Sequence, residues 1–313
     1  ASSAASDVYK RQIFRRKCMG FEFTDSGIMI PKDYEIYVKP TEFQISERKL
    51  EGYKKLAEIR QFGIKYPTKF MKEFIGVELL DAQEYTFMNS WTKPFVLWLE
   101  SRAAGKTTLL ALFSMVKGLI FNNYRTYICS GTADQSQETF KKIEDIALKN
   151  IESMTGLTDV FKNEVEISQA NSNGFIHNPM GFTYRLYNGS FVKTLNSNIN
   201  AKRGKRCECV CFDEGGWLSE EEFNVIGAFT TLDSNFKLGG NIDISSLPKE
   251  FPHQLLYASS ASSIDTAFYQ KYRDFSKKMM SCIRLVSYCC HTASFPPSGY
   301  NIQISCQLSL IHI

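Results

Sequence analysis

At 313 residues, with 43% hydrophobic and 22% charged positions, the chain is long and apolar enough for a sizeable core and is not composed like a disordered protein. A net charge of +4 suits a nucleotide or nucleic-acid partner without requiring one. No apolar run reaches the roughly 18 residues of a membrane helix, so no transmembrane helix and no membrane partner are expected, and no secretory signal is visible.

Nine cysteines form an odd set, and Cys207, Cys209 and Cys211 alternate as on one strand rather than pairing at metal-ligand spacing. Reduced thiols are the expected state. The terminal runs Ala1–Gln12 (ASSAASDVYKRQ) and Leu308–Ile313 (LSLIHI) resemble translated sequencing-adapter sequence. They are set aside as expected artefacts, and the natural termini are expected to be missing.

In chain order, residues 13–80 read as a helical lead. An amphipathic helix is predicted over 42–62, capped by Ser46, with Leu50, Tyr53, Leu56 and Ile59 at helical spacing and Gly63 as its stop. A shorter helix spans Thr68 to Ile75 and stops at Gly76, and a third opens at Asp81, with Asp81 and Glu84 as an aspartate variant of the capping box. Residues 81–280 then alternate strand and helix. Phe95–Leu99 (FVLWL) is a strand buried on both faces, Gly105–Phe121 a helix, Arg125–Ser130 a strand and Ala133–Ser153 a helix capped by Thr132. Asn188-Gly189-Ser190 between two β-prone runs, Phe182–Tyr187 and Phe191–Leu195, marks a hairpin. Cys207–Phe212 and Leu255–Ser259 are further strands, Ser219 and Glu222 cap a helix, and a last helix covers Asp265–Met280. This alternation implies an α/β fold with a mainly parallel central sheet flanked by helices. Residues 281–313 lose periodicity and are expected to be a non-native or disordered tail. Their Cys282, Cys289, Cys290, Cys306 and His291 do not show standard zinc spacing.

Two motifs carry chemistry. Glu100-Ser101-Arg102-Ala103-Ala104-Gly105-Lys106-Thr107, followed by Thr108, lies between a buried strand and a helix, as a phosphate-binding loop requires. Backbone N–H groups from Ser101 to Thr108 would face phosphates at the positive end of the helix dipole. Gly105 permits close backbone approach, Lys106 reaches the β- and γ-phosphates, and the Thr107 hydroxyl ligates Mg²⁺. The competing reading is a helix start with a surface lysine. The second motif, Val210-Cys211-Phe212-Asp213-Glu214, is an apolar strand ending in two diverging carboxylates. Asp213 would hold Mg²⁺ through water and Glu214 would act as general base on the attacking water. Here the competing reading is a solvated turn ended by Gly215-Gly216. The two motifs are independent, and each predicts the other.

Together they resemble the phage terminase large subunit, and within it the branch whose phosphate loop reads Ser-Arg-x-x-Gly-Lys-Thr-Thr and lacks the first glycine, as Glu100 does here. The resemblance covers about residues 65–280 and implies a P-loop ATPase that drives double-stranded DNA into a procapsid using ATP and Mg²⁺. It implies further roles: Gln83 placed like the adenine-recognising glutamine, Arg102 like the loop arginine at the γ-phosphate, Ser130–Ser136 like the second helicase-like motif, and Ser259 and Ser260 in the coupling motif Tyr257–Ser262. Gln83 also fits a plain polar helix face, and the two serines a plain strand end. The partners implied are DNA, a portal protein, a small terminase subunit and other copies in a ring, within the cytoplasm of an infected bacterium and outside the mature virion. The family's ribonuclease-H-type nuclease domain has no acidic cluster to match it after Met280. The basic run Lys202, Arg203, Lys205 and Arg206 is a candidate for sequence-independent phosphate contacts or for an arginine acting in a neighbouring subunit, against a solvated loop. A superfamily-2-like helicase and a nucleotide-gated, non-hydrolysing assembly module remain the alternatives.

Overall fold

The computed structural model describes residues 21–23, 29–31, 46–169, 171–195, 204–230, 253–261, 263–280 and 287–292. The chain forms two units, residues 1–67 with 233–251 and residues 68–232 with 252–313. The first holds an antiparallel pair, β1 (Phe21–Phe23) and β2 (Met29–Pro31), and helix α1 (Glu47–Lys65). Ser46 caps α1 as expected, its Oγ accepting from the Lys49 N–H at 3.4 Å. The helix runs through Gly63 and stops before Pro67 instead, because a residue preceding proline is driven out of the helical region; Tyr66 sits at φ −134°, ψ 63°.

The second unit begins within α2 (Pro67–Phe74), followed by α3 (Asp81–Ser90). Pro67 takes the first helical position, where its missing N–H costs nothing. The cap of α3 differs from the expected Asp81–Glu84 box: the Leu80 N–H donates to Gln83 Oε1 at 3.3 Å, while Glu84 accepts from the Thr68 hydroxyl at 2.7 Å. There follow β3 (Phe95–Glu100), α4 (Lys106–Ile120), β4 (Arg125–Cys129), α5 (Ala133–Ala147), α6 (Val160–Glu164), β5 (Thr183–Arg185), β6 (Phe191–Thr194), β7 (Cys209–Phe212), α7 (Glu220–Gly227), β8 (Gln254–Ser259), α8 (Ala267–Met280) and β9 (Ser287–Thr292). Helix α5 ends earlier than its predicted stop near Ser153, because Lys149 adopts a left-handed conformation at φ 60°. The two other predicted caps of this unit are present: Thr132 Oγ1 accepts from the Gln135 N–H at 3.3 Å, and Ser219 and Glu222 close a reciprocal box. The Asn188-Gly189 hairpin also forms, pairing β5 and β6 antiparallel with Gly189 at φ 85°.

Among the described residues the main sheet has seven strands in the order β5-β6-β4-β7-β8-β3-β9, and every pairing except β5–β6 is parallel. Strand β9 lies beside β3 within the stretch expected to be a tail; its register, Leu97 opposite Cys289, continues the parallel sheet. Because the central strands are buried on both faces, they read as continuous apolar runs. Alternate residues of β3 supply the two cores. Leu97 packs with Phe212, Phe223, Ile226, Tyr257, Phe268 and Phe275. Trp98 faces the other way, edge-on to Phe113 of α4 at 6.3 Å, its indole N–H donating to Ser90 Oγ at 2.8 Å. Each fully buried phenylalanine contributes about 1.5–3 kcal/mol of apolar transfer. Among the described residues no helix is long and apolar enough to cross a membrane.

Candidate nucleotide site

Parallel pairing sends the C-terminal ends of β3, β4, β7 and β8 to the same edge of the sheet, where ligands of open α/β sheets bind. The register brings the loops after Glu100, Cys129, Phe212 and Ser259 together. They enclose a cavity of about 650 Å³ lined by Arg102, Ala103, Gly105–Thr108, Gln135, Glu214, Gly216, Trp217 and Ser259–Ala261. The phosphate loop and the acidic strand thus meet, although β8 separates β3 from β7 in the sheet.

The loop after β3 is shaped by two left-handed residues, Ala103 at φ 63° and Gly105 at φ 88°. At Gly105 the left-handed conformation demands glycine, and an added Cβ would also push on the Gln83 amide, 2.8 Å away. Lys106 opens α4 and is almost buried. Its ammonium donates to Ser260 Oγ at 3.0 Å and Ser101 O at 3.4 Å, and lies 3.8 Å from a Glu214 carboxylate oxygen. Thr107 Oγ1 donates to Asp213 Oδ2 at 3.4 Å.

Adjacent carboxylates take different environments because Glu214 is left-handed, at φ 48°, ψ 47°. Such a conformation in a non-glycine residue costs about 1–3 kcal/mol and is common at functional sites. Asp213 is 2% exposed and accepts from the Thr139 hydroxyl of α5 at 2.6 Å. Burial raises its carboxyl pKa above the usual range, against the lowering effect of that hydrogen bond. Glu214 instead faces the cavity and Lys106. The Ser130 hydroxyl donates to the Asp213 backbone carbonyl, and the Gly216 N–H donates to Ser259 Oγ at 3.0 Å, fixing both sides of the acidic turn.

Of the expected site residues, Arg102, Ala103, Gly105, Lys106, Thr107, Thr108, Glu214, Ser259 and Ser260 line the cavity, with Asp213 just behind it against Thr107. Gln83 has another occupation: its Nε2 donates to Ala104 O at 3.2 Å while its Oε1 caps α3, so it braces the phosphate loop. Ser101 contributes its backbone carbonyl to Lys106. Lys205 and Arg206, the described residues of the basic run, lead into the start of β7, at the opposite end of the sheet from the cavity. Lys205 lies 5.7 Å over the Tyr127 ring, Arg206 is exposed, and Lys202 and Arg203 fall outside the described residues. Sequence reasoning missed Thr139 and Trp217, and gave Gln135 no role of its own within the Ser130–Ser136 segment. Thr139 and Gln135 are one helical turn apart in α5, a spacing that would have put them on one face; Trp217 carries no local signal beyond following the acidic pair.

The donor set fits a metal–triphosphate. Hydroxyl and carboxylate oxygens of Thr107 and Asp213 are hard ligands suited to Mg²⁺, and Lys106 and Arg102 supply positive charge at the cavity wall.

No family model and no curated protein sequence matches the chain. Solved structures do. The large terminase of bacteriophage HK97 matches with a TM-score of 0.53 at 14% identity, over 74% of this chain and 44% of that one. The large terminase of a thermophilic bacteriophage, in complex with ADP, matches with a TM-score of 0.46 at 13% identity, over 67% of this chain and 44% of that one. The chain therefore spans less than half the length of these terminases. With its phosphate loop and acidic pair at one edge of a mainly parallel sheet, this chain has the P-loop NTPase fold that it shares with the HK97 large terminase.

Proposed function

We propose that the chain is the ATP-hydrolysing portion of a phage DNA-packaging motor, a terminase large subunit ATPase that couples ATP hydrolysis to translocation of double-stranded DNA. The observation that carries this reading is the convergence of Lys106, Glu214 and Ser260 on one point of the cavity wall, with Thr107 on Asp213 beside it.

In this reading Lys106 and Arg102 hold the β- and γ-phosphates, and backbone N–H groups at the start of α4 face them. Phosphate oxygens take over the acceptor positions that Ser260, Ser101 and Glu214 offer to Lys106, which frees the Glu214 carboxylate to receive a proton from the attacking water. Thr107 and Asp213 are the residues that would hold Mg²⁺, which would supply charge neutralisation for the phosphates. Ser259, bonded to the Gly216 N–H, and Ser260, bonded to Lys106, link the acidic turn and the phosphate loop to the end of β8. Loss of the γ-phosphate changes the contacts at that strand end, the step we assign to movement of bound DNA. Gln83 acts through the phosphate loop it braces. Double-stranded DNA, a portal protein, a small terminase subunit and a ring of copies on the procapsid are the proposed partners, in the cytoplasm of an infected bacterium. No nuclease activity is assigned to these residues.

The test is phosphate release from ATP by the isolated chain, with and without duplex DNA and portal-bearing procapsids. DNA-stimulated release that disappears in Glu214→Gln, with ATP binding retained, is the expected result. Undiminished release in Glu214→Gln sinks the assignment, and strand displacement without duplex packaging turns it into a helicase.

A further inference from the structure

Helix α5 begins at the cavity, and its first two turns present side chains there at helical spacing. Thr139 donates to the Asp213 carboxylate, and Gln135, four residues earlier on the same face, lines the cavity shared with Glu214, Lys106 and Ser260. The Gln135 backbone is fixed by the Thr132 cap, and Ser136 is pinned to Ala133 O at 2.7 Å and Leu195 O at 3.4 Å. The start of the helix is therefore rigid where Gln135 leaves it.

Gln135 Oε1 is buried and accepts no hydrogen bond. A buried amide oxygen left unpaired is costly, and the great majority in folded proteins find a donor. The oxygen packs beside Gly131, where an added Cβ would stand 2.7 Å from Trp217 Cβ and 3.6 Å from Gln135 Oε1, so glycine lets the acidic turn close on the start of α5. Because Gln135 lines the cavity, a group held there can supply the missing donor once the amide turns toward it. Among species in a nucleotide site, water has O–H groups to give and must be oriented for in-line attack. A glutamine amide suits that task because it accepts a hydrogen bond without competing for the proton.

We propose that Gln135 is a second catalytic residue, whose side-chain carbonyl accepts one O–H of the attacking water while Glu214 takes the proton of the other. The water oxygen bonds to the γ-phosphorus, the bond from that phosphorus to the β–γ bridging oxygen breaks with its electron pair leaving on ADP, and the proton passes to Glu214. Gln135 changes neither charge nor protonation. The inference rests on the ATPase reading above.

The experiment compares Gln135→Leu, Gln135→Asn and Gln135→Glu with Glu214→Gln in one single-turnover assay of γ-phosphate release, alongside ATP affinity and trapping by ADP with aluminium fluoride. Expected are a fall of roughly 100-fold in turnover for the leucine variant, the size of effect seen when one polar group at a transition state is lost. ATP affinity should stay within about two-fold, less than a third of the 1.4 kcal/mol that a tenfold change represents, and aluminium-fluoride trapping should be lost. Asparagine, with the carbonyl withdrawn by one methylene, should be comparably slow, which keeps the test open if the leucine chain does not fold. Glutamate keeps an acceptor at full reach but adds a charge that competes for the proton, so it should also stay slow. Wild-type turnover in both leucine and asparagine variants overturns the proposal, as does a loss confined to ATP affinity. If Glu214→Gln is inactive while the Gln135 variants are normal, only this inference falls; if Glu214→Gln also turns over, the ATPase reading falls with it.

Discussion

The Lys106 ammonium donates to the Ser260 hydroxyl at 3.0 Å across 154 positions of sequence, so the phosphate loop and the end of β8 are joined directly at the cavity. Lys106 is the charged member of the pair. In the proposed role its hydrogen bonds to phosphate oxygens would each be of the charge-assisted class, about 1.5–3 kcal/mol. Lys106→Ala should therefore weaken ATP binding by at least about tenfold, since 1.4 kcal/mol is one decade. Ser260→Ala removes only a neutral partner and should change ATP affinity far less. Titration with a fluorescent ATP analogue checks both; equal affinity in Lys106→Ala and wild type would refute the role of the lysine.

Thr139 supports the acidic pair from behind, giving its hydroxyl to a carboxylate that is only 2% exposed. Thr139→Val keeps the shape but removes that donor, and should cost about 1–3 kcal/mol of stability in urea denaturation. Because this hydrogen bond lowers the Asp213 pKa while burial raises it, the substitution should push the carboxyl further up. Thr139→Ser should restore most of both. A valine variant as stable as wild type would show that the contact does not matter.

Lys117 gives a pH-dependent signature. It is fully buried in α4, its ammonium donating to Trp91 O at 2.8 Å and lying 3.9 Å over the Trp91 ring, and burial lowers its pKa well below the ordinary lysine value. The folded state thus releases this proton at lower pH than the unfolded chain does. Between the lowered folded value and the unfolded value near 10.5, the unfolded state binds more protons, so stability rises with pH across that window. Below it the burial penalty is fully present, and above it the penalty is gone. Against Lys117→Met, the wild type should gain relative stability as pH increases, measured by denaturant midpoints at a series of pH values. A constant difference at all pH would contradict this.

Trp217 provides an optical reporter. It is 76% exposed and lines the cavity, whereas Trp91 and Trp98, the other two tryptophans, are fully buried. Solvent-sensitive emission should come from Trp217, and a non-hydrolysable ATP analogue should shift or quench it. Trp217→Phe should abolish the change while leaving Trp91 and Trp98 emission in place. A ligand-induced signal that survives the substitution would place the nucleotide elsewhere.

Much of the fold was readable before folding was considered. The apolar run Phe95–Leu99, the caps Thr132 and Ser219, and the Asn188-Gly189 turn are short-range signals, governed by periodicity and by backbone hydrogen bonds within a few residues. Boundaries were less legible where two local signals competed. At Gly63 the preference for ending a helix yielded to Pro67, and at Lys149 a left-handed residue stopped α5 ahead of Ser153. Strand β9 was hidden because Cys289, Cys290 and His291 carry no strand pattern of their own; its place comes from pairing with β3.

The linear order of residues already contained the phosphate loop, the acidic pair and the types of chemistry they support, because each is a contiguous motif on a recognisable strand–loop unit. It did not contain the insertion of β8 between β3 and β7, which sets Ser260 against Lys106 and Ser259 against Gly216. Nor did it contain the face of α5 that brings Thr139 to Asp213 and Gln135 to the cavity. Those placements depend on which apolar strands bury against one another over long separations. Sheet order is settled by that burial and by parallel register, neither of which leaves a mark within any single segment.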